Sequence, residues 1–121
     1  LVGLRFLLDD LRIVAPDGTA VALLGPDQEM DYALQANYPN PFNAGTVVHY
    51  RLGKRGSIDL GVYNAVGQRV RTLARGVLPS GDHRATWNGR DEFGRDVASG
   101  VYYYRLQAAD FLAVGKMTLL R

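Results

Sequence analysis

The 121-residue chain has no cysteine. Disulfide frameworks and thiolate metal sites are therefore excluded, and any fold must be held by its apolar core. Long apolar runs are also missing. The longest, such as "VALLG" at 21–25, fall far short of the ~20 residues that span a bilayer as a helix. No stretch keeps the i, i+3, i+4, i+7 apolar spacing of an amphipathic helix. Glycine-rich phosphate loops of the GxGxxG or Walker type are absent. Only two histidines occur, His49 and His83, so clusters of His and Cys around a metal are excluded. The chain opens on Leu1 with no basic-then-apolar leader, and the expectation is a fragment or a processed product.

What is present is the composition of one globular domain: 47% hydrophobic and 21% charged residues. Charge is unevenly placed. Before Thr46, two arginines stand against six carboxylates, a net −4; from Thr46 onward, twelve basic residues stand against six acidic, a net +6. Two solvated surfaces of opposite sign satisfy this pattern, as does an acidic head docked on a basic body in the same or a neighbouring chain. The arginines are scattered and form no stripe interleaved with aromatics, so nucleic acid is not an expected partner.

From residue 46 on, the chain alternates with a period of two. "TVVHYRL" (46–52) sets Val48, Tyr50 and Leu52 against Val47, His49 and Arg51. "SIDLGVYN" (57–64) sets Ile58, Leu60 and Val62 against Asp59, Gly61 and Tyr63. "QRVRTLAR" (68–75) is entered through the hairpin signal Asn64-Ala-Val-Gly67 and sets Val70 and Thr72 against Arg69, Arg71 and Leu73. "GDHRATW" (81–87) aligns His83, Ala85 and Trp87. After the Asn/Asp/Gly-rich loop 88–100 come "VYYYRLQA", with Tyr102, Tyr104 and Leu106 inward, and "FLAVGKMTLL", with Met117 and Leu119 inward and Lys116 and Thr118 outward. Short strands with turns every ~8–12 residues predict an all-β fold, an immunoglobulin-like antiparallel sandwich of about seven strands. Residues 1–24 predict a hairpin around Pro16-Asp17-Gly18, and "GPDQEMD" (25–31) an acidic linker. The expected division is 1–33, hairpin and linker from a preceding module, and 34–121, the sandwich. An isolated hairpin is marginal in water, so residues 1–24 must pack on the sandwich, on further sequence or on another chain.

Candidate chemistry is thin. Ser80-Gly-Asp-His83 has the residue types of a triad, but adjacency in one turn supplies neither an oriented base nor an oxyanion hole. Asp91, Glu92 and Asp96 offer hard oxygens for calcium. They lack the full alternating loop pattern with its terminal bidentate glutamate, and Asp91 and Gly94 equally serve a turn. Tyr63, Tyr103 and Trp87 are candidates for a flat carbohydrate-binding face, although a lone Trp in a sandwich is commonly the core anchor. The kinked segment "QANYPNPFNAG" (35–45) is expected to seal the domain entrance. Its prolines remove donors and force an extended path, Tyr38 and Phe42 would cap the open end of the sandwich, and the asparagines would bond turn backbone.

The order "NYPNPFN" (37–43), "IDLGVYNAVGQRVRTL" (58–73), "GDHRATWNGRDEFGRDVASGVYYYRL" (81–106) and "KMTLLR" (116–121) resembles the type A C-terminal sorting domain of the bacterial type IX secretion system. That family is related to the immunoglobulin-like domain of the flagellar hook-capping protein. The resemblance covers about residues 34–121 and departs from the motif only at Ala44-Gly45, where Pro-Ser is more usual. It implies a non-enzymatic address on a covalently linked upstream cargo domain. Such a domain needs no cofactor and is read by the outer-membrane translocon after passage through the periplasm of a Gram-negative bacterium. It implies recognition residues Pro39, Asn40, Pro41, Phe42, Gly100, Tyr102 and Lys116, and a secreted or cell-surface location. On physical grounds the last strand, with Lys116 outward, reads as an edge that a receptor could pair with, or as one whose lysine only discourages unwanted pairing. Two other functions fit the residues: a structural or adhesive module pairing strands with neighbouring copies through residues 1–24, and a carbohydrate-binding accessory module.

Overall fold

The computed structural model describes residues 32–121 in full and, as backbone, the strand segments Ile13–Val14 and Ala20–Leu23. The expected turn at Pro16-Asp17-Gly18, the acidic linker and the docking of an acidic head fall outside the described residues.

Two antiparallel sheets make a sandwich. In chain order the strands are β1 (Ile13–Val14), β2 (Ala20–Leu23), β3 (Ala33–Leu34), β4 (Thr46–Leu52), β5 (Gly56–Tyr63), β6 (Arg69–Leu78), β7 (Gly81–Trp87), β8 (Gly100–Ala108) and β9 (Phe111–Leu119). The larger sheet runs β1-β2-β9-β8-β5-β6 and the smaller β3-β4-β7. Ala20–Leu23 pairs with this chain's own β9 over Gly115 to Leu112. That is the first of the three packing partners open to residues 1–24. The described residues contain no helix, and none long and apolar enough to cross a membrane.

The period-two pattern places the core as expected. Val48, Tyr50 and Leu52 of β4 meet Ile58, Leu60 and Val62 of β5, with Tyr102, Tyr104 and Leu106 of β8 and Met117 and Leu119 of β9. Trp87 is the anchor: its ring meets Phe42 edge-on at 5.6 Å and Tyr102 at 5.2 Å, the offset geometry that aromatic quadrupoles favour. Tyr104 lies across Gly115, where a Cβ would run into the ring, so glycine is what lets this tyrosine cross β9.

The alternation expected of β6 is corrected. Register shifts occur between Leu60 and Gly61 and between Val62 and Tyr63, so β5 passes over Leu73 and Val70. Each such bulge inserts one residue and flips the alternation beyond it. Val70, Leu73, Ala74 and Leu78 therefore all pack on the core, while Thr72 turns outward to accept a bond from Arg69.

Strand β9 is not an edge, contrary to expectation. β8 pairs with its whole length, and β2 takes Leu112–Gly115 on the other side. Beyond β2 the chain covers the same side with its own residues 40–42. An uncovered strand would leave a row of donors and acceptors ready to pair with any chain.

Candidate functional site

The residues that resemblance singled out converge at one end of the sandwich. Asn40 uses its side chain as a strand partner. Its Oδ1 accepts from the Thr118 amide at 3.0 Å, and its Nδ2 donates to the Lys116 carbonyl at 3.4 Å. The Phe42 amide donates to the Thr118 carbonyl at 3.0 Å, and the Leu120 amide returns a bond to the Phe42 carbonyl at 2.8 Å. Phe42 thus forms a parallel bridge to Leu119, and its ring is driven into the core at 3% exposure. Pro39 and Pro41, whose preceding peptide bonds are cis, line a cleft of about 310 Å³ with Phe42, Asn43 and Leu120.

The clasp has a second tier. Tyr104 Oη receives the Asn37 amide at 3.1 Å and donates to the Gln35 carbonyl at 2.9 Å. The buried side-chain Nδ2 of Asn37 donates to Thr46 Oγ1 at 3.0 Å and to the Pro39 carbonyl, which also receives the Thr46 hydroxyl at 2.8 Å. Residues 35–42 are therefore fixed at both ends of the segment by partners 69 and 78 positions away. Half of the expected capping is corrected: Phe42 seals the core, but Tyr38 is 78% exposed, because its strand-like pairing with Val47 directs the chain along β4. Of the asparagines, Asn37 bonds the turn backbone at Pro39 as expected, whereas Asn40 bonds β9 and not its own turn.

The other recognition candidates lie beside this clasp. Gly100 pairs with Leu119 and Tyr102 with Met117. Burial pushes the Tyr102 hydroxyl up, partly offset by the Arg121 charge, and the hydroxyl donates to the Ala98 carbonyl at 2.7 Å. Lys116 is exposed but sits opposite Tyr103 inside the sheet. Arg121 then ties the end of β9 to loop 88–99: its amide donates to Ser99 Oγ and its guanidinium to the carbonyls of Val97 and Gly89.

The three carboxylates considered for calcium do not converge. Asp91 Oδ1 accepts the amides of Phe93 and Arg95, and its Oδ2 accepts from Arg95 Nε at 3.0 Å. The Arg95 amide above all, opposed by desolvation and helped by the Phe93 amide and the Arg95 guanidinium, holds this carboxyl below its usual range. Glu92 faces Arg71 at 3.7 Å, and Asp96 faces Arg90 at 3.2 Å and Arg121 at 3.5 Å. Among the described residues no three acidic or imidazole groups share a site. The flat aromatic face does not form either, because Trp87 is inside the core while Tyr63 and Tyr103 pair on the outer face of the larger sheet. That arrangement removes the carbohydrate-binding argument. Of the triad types, His83 donates from Nε2 to the Pro79 carbonyl, 2.8 Å away, and its ring stacks on Tyr50.

Three features escaped the sequence reading: the Tyr104 tether, the Arg121 tie and the paired geometry of two loops, 64–68 and 91–95. The last had a readable signal in the spacing Asx-x-apolar-Gly shared by "NAVG" and "DEFG".

Fold and clasp define an immunoglobulin-like β-sandwich module closed by its own entrance segment. A family model, the FlgD Ig-like domain, matches residues 40–110, and the chain belongs to the FlgD Ig-like domain family. Two solved structures share the fold. One is dimeric latent PorU from Porphyromonas gingivalis, with a TM-score of 0.58 and 18% identity over 90% of this chain. The other is PorZ of the same organism, described as an essential bacterial surface component of the type IX secretion system, with a TM-score of 0.50 and 17% identity over 89% of this chain. The chain spans only 10% of that PorU chain and 16% of that PorZ chain. Among curated proteins none matches.

Proposed function

We propose that this is a non-catalytic C-terminal sorting and anchoring module, which directs a linked secreted protein through the type IX outer-membrane translocon to the cell surface. The observation that carries the proposal is the convergence of Pro39–Phe42, Gly100, Tyr102 and the end of β9 on one end of the fold. Exposed Pro39, Asn40 and Pro41 are thereby fixed beside the last strand over the buried rings of Phe42 and Tyr102, and rigid surfaces are what a receptor reads at low entropic cost. The fold shared with PorZ supports the same secretion context. Because β9 is covered on both sides, read-out engages side chains and loops at this end and not strand addition to β9.

The test is export. The full 121-residue chain is fused behind a signal peptide and a reporter in a bacterium that has this secretion system. The expected result is reporter on the surface, accessible to added protease, and periplasmic retention when the translocon is deleted. No display in the parent strain, or equal display without the translocon, overturns the proposal.

A further inference from the structure

Four strands end the two sheets: β1 and β6 in the larger, β3 and β7 in the smaller. A sheet edge is a template for further pairing, and proteins blunt it with short strands, bulges or covering loops. β1 and β3 are two residues each. β6 carries the register shifts against β5, its Val70 carbonyl is taken by the Glu92 amide, and Arg71 Nη1 reaches the Asp91 carbonyl at 3.0 Å. Among the described residues β7 has none of these devices. Its seven residues pair with β4 in unbroken register, from Gly81 opposite Leu52 to Trp87 opposite Thr46.

The backbone of β4 fixes which groups of β7 stand free. The His49 carbonyl accepts from the Gln35 amide at 2.9 Å, and Val47 exchanges two bonds with Tyr38, so the odd residues of β4 turn their peptide groups toward β3. Its even residues turn theirs toward β7, where they meet Gly81, His83, Ala85 and Trp87. In an antiparallel ladder the intervening residues point the other way. The amides and carbonyls of Asp82, Arg84 and Thr86 therefore line the open edge, and all three residues are exposed. The core is thin on this side. His83 and Ala85 face inward but are only half-buried, although Tyr50 and Val48 opposite them are 3% and 0% exposed. Neighbouring β6 has no fully buried residue at all.

Charge selects what this edge takes. Arg84 has no ion-pair partner among the described residues, and Asp82, bonded to Arg51 through Oδ1 at 3.0 Å, keeps 83% of its side chain exposed. A second copy related by a two-fold axis through His83, perpendicular to the sheet, runs antiparallel and keeps its core on the same side. Asp82 then stands opposite Arg84 of the second copy, and Arg84 opposite its Asp82, with the free amides and carbonyls of both placed as a hydrogen-bonded pair. Slipping the pairing by two residues sets Arg84 against Arg84 or Asp82 against Asp82, and like charges directly opposite are destabilising. Slipping it by one sets a core-facing residue against a solvent-facing one. A single register is therefore complementary to itself. We infer that the chain forms a two-fold dimer by joining β7 to β7 of a second copy, with Asp82 opposite Arg84 and His83 opposite His83, in one continuous sheet β3-β4-β7-β7-β4-β3.

Sedimentation of the purified 121-residue chain tests this. The expected result is a reversible dimer at about 100 μM chain, since the joined edge is a small interface. Arg84→Asp sets carboxylate against carboxylate, and Asp82→Arg sets guanidinium against guanidinium. Each should weaken the dimer about tenfold or more, and the two together should restore it, with unfolding midpoints near the parent's. The chain has no cysteine, so a single introduced one reports position. His83→Cys lies on the axis, at the spacing of a non-hydrogen-bonded pair that a disulfide can span, and should cross-link under mild oxidation. Thr86→Cys should not, because Ser80 of the second copy stands opposite it. A chain that stays monomeric up to about 1 mM overturns the inference. So does a dimer that both charge reversals leave intact, a charge-swapped chain that fails to pair, or cross-linking of T86C in place of H83C. None of these readouts involves export, so the dimer stands or falls apart from the function proposed above.

Discussion

Two phenylalanines occupy the same end of the sandwich and have opposite fates. Phe42 is bonded through its backbone to β9 on both sides and its ring packs against Trp87. Phe93 sits at the tip of a turn shaped by its own Asp91 carboxylate; Val70 and Arg71 brace the base of that turn, but the Phe93 ring itself stands in solvent. The difference teaches what an aromatic does when its neighbours come from far along the chain and when they come from nearby. Long-range partners convert apolar surface into stability, whereas local partners can only fix where that surface points. Clasp and tips can therefore be separated by experiment.

The largest effect is expected at the clasp core. Phe42→Ala empties the site between the Trp87 ring and the Leu119 bridge and should cost about 3–5 kcal/mol in urea unfolding. A loss below about 1 kcal/mol would place Phe42 with Phe93 and end the contrast. Next comes Tyr104→Phe. It keeps the ring over Gly115 but deprives the Asn37 amide and the Gln35 carbonyl of the tyrosine hydroxyl, and groups buried without partners cost about 1–3 kcal/mol. Asn40→Ala removes two bonds to β9 and should cost about 1 kcal/mol, with faster hydrogen exchange at the Thr118 amide as its local signature.

These three residues also show what could be read in advance. Strand positions, the Trp87 anchor and the sealing role of Phe42 were legible, because alternation and turn chemistry are local properties that sheet burial reinforces. The Tyr104 tether, the covering of β9 by Asn40 and the bulges of β6 were not. Each depends on which distant residue lies opposite, and a one-residue slip in register leaves the sequence pattern unchanged. At the candidate site the motif residues were named, but their joining into one surface needed the fold. The tip geometry was written in "NAVG" and "DEFG" yet read only as two separate turns.

A smaller effect tests the outer face of the larger sheet. Burial alone would raise the Asp59 carboxyl, but hydrogen bonds and charge from Arg69, with a further contribution from Arg75, hold it below its ordinary value. A carboxyl lowered in the folded state contributes stability that is fully present above the unfolded value of about 3.9 and is lost as the pH falls toward the folded one. The melting-temperature gap between the parent and Arg69→Met should therefore be wider at pH 7 than at pH 3. It should not vanish, since Arg69 also donates to the Tyr63 hydroxyl at 2.6 Å. A gap independent of pH would assign the whole effect to packing.

The smallest effect on stability belongs to the tips, and it is the sharpest test of the contrast. Phe93→Ser removes a ring that shields little, and Val66→Ser removes a side chain at a hairpin tip. Both keep the Asx bonds, which use backbone amides and the side chains of Asn64 and Asp91. Exposed substitutions away from caps, cavities and buried polar groups fall within about ±0.5 kcal/mol, so the double variant should unfold with the parent. Asp91→Ala is its counterpart. It leaves the Phe93 ring in place but removes the oxygen that holds the Phe93 and Arg95 amides, so the tip stays apolar and loses its fixed direction. D91A should speed hydrogen exchange at the Phe93 and Arg95 amides while Val70 and the β6 core stay protected. Unchanged exchange at those two amides would mean that Gly94 and the Asp91 carbonyl set the turn without the carboxylate, and that the direction of Phe93 does not depend on it.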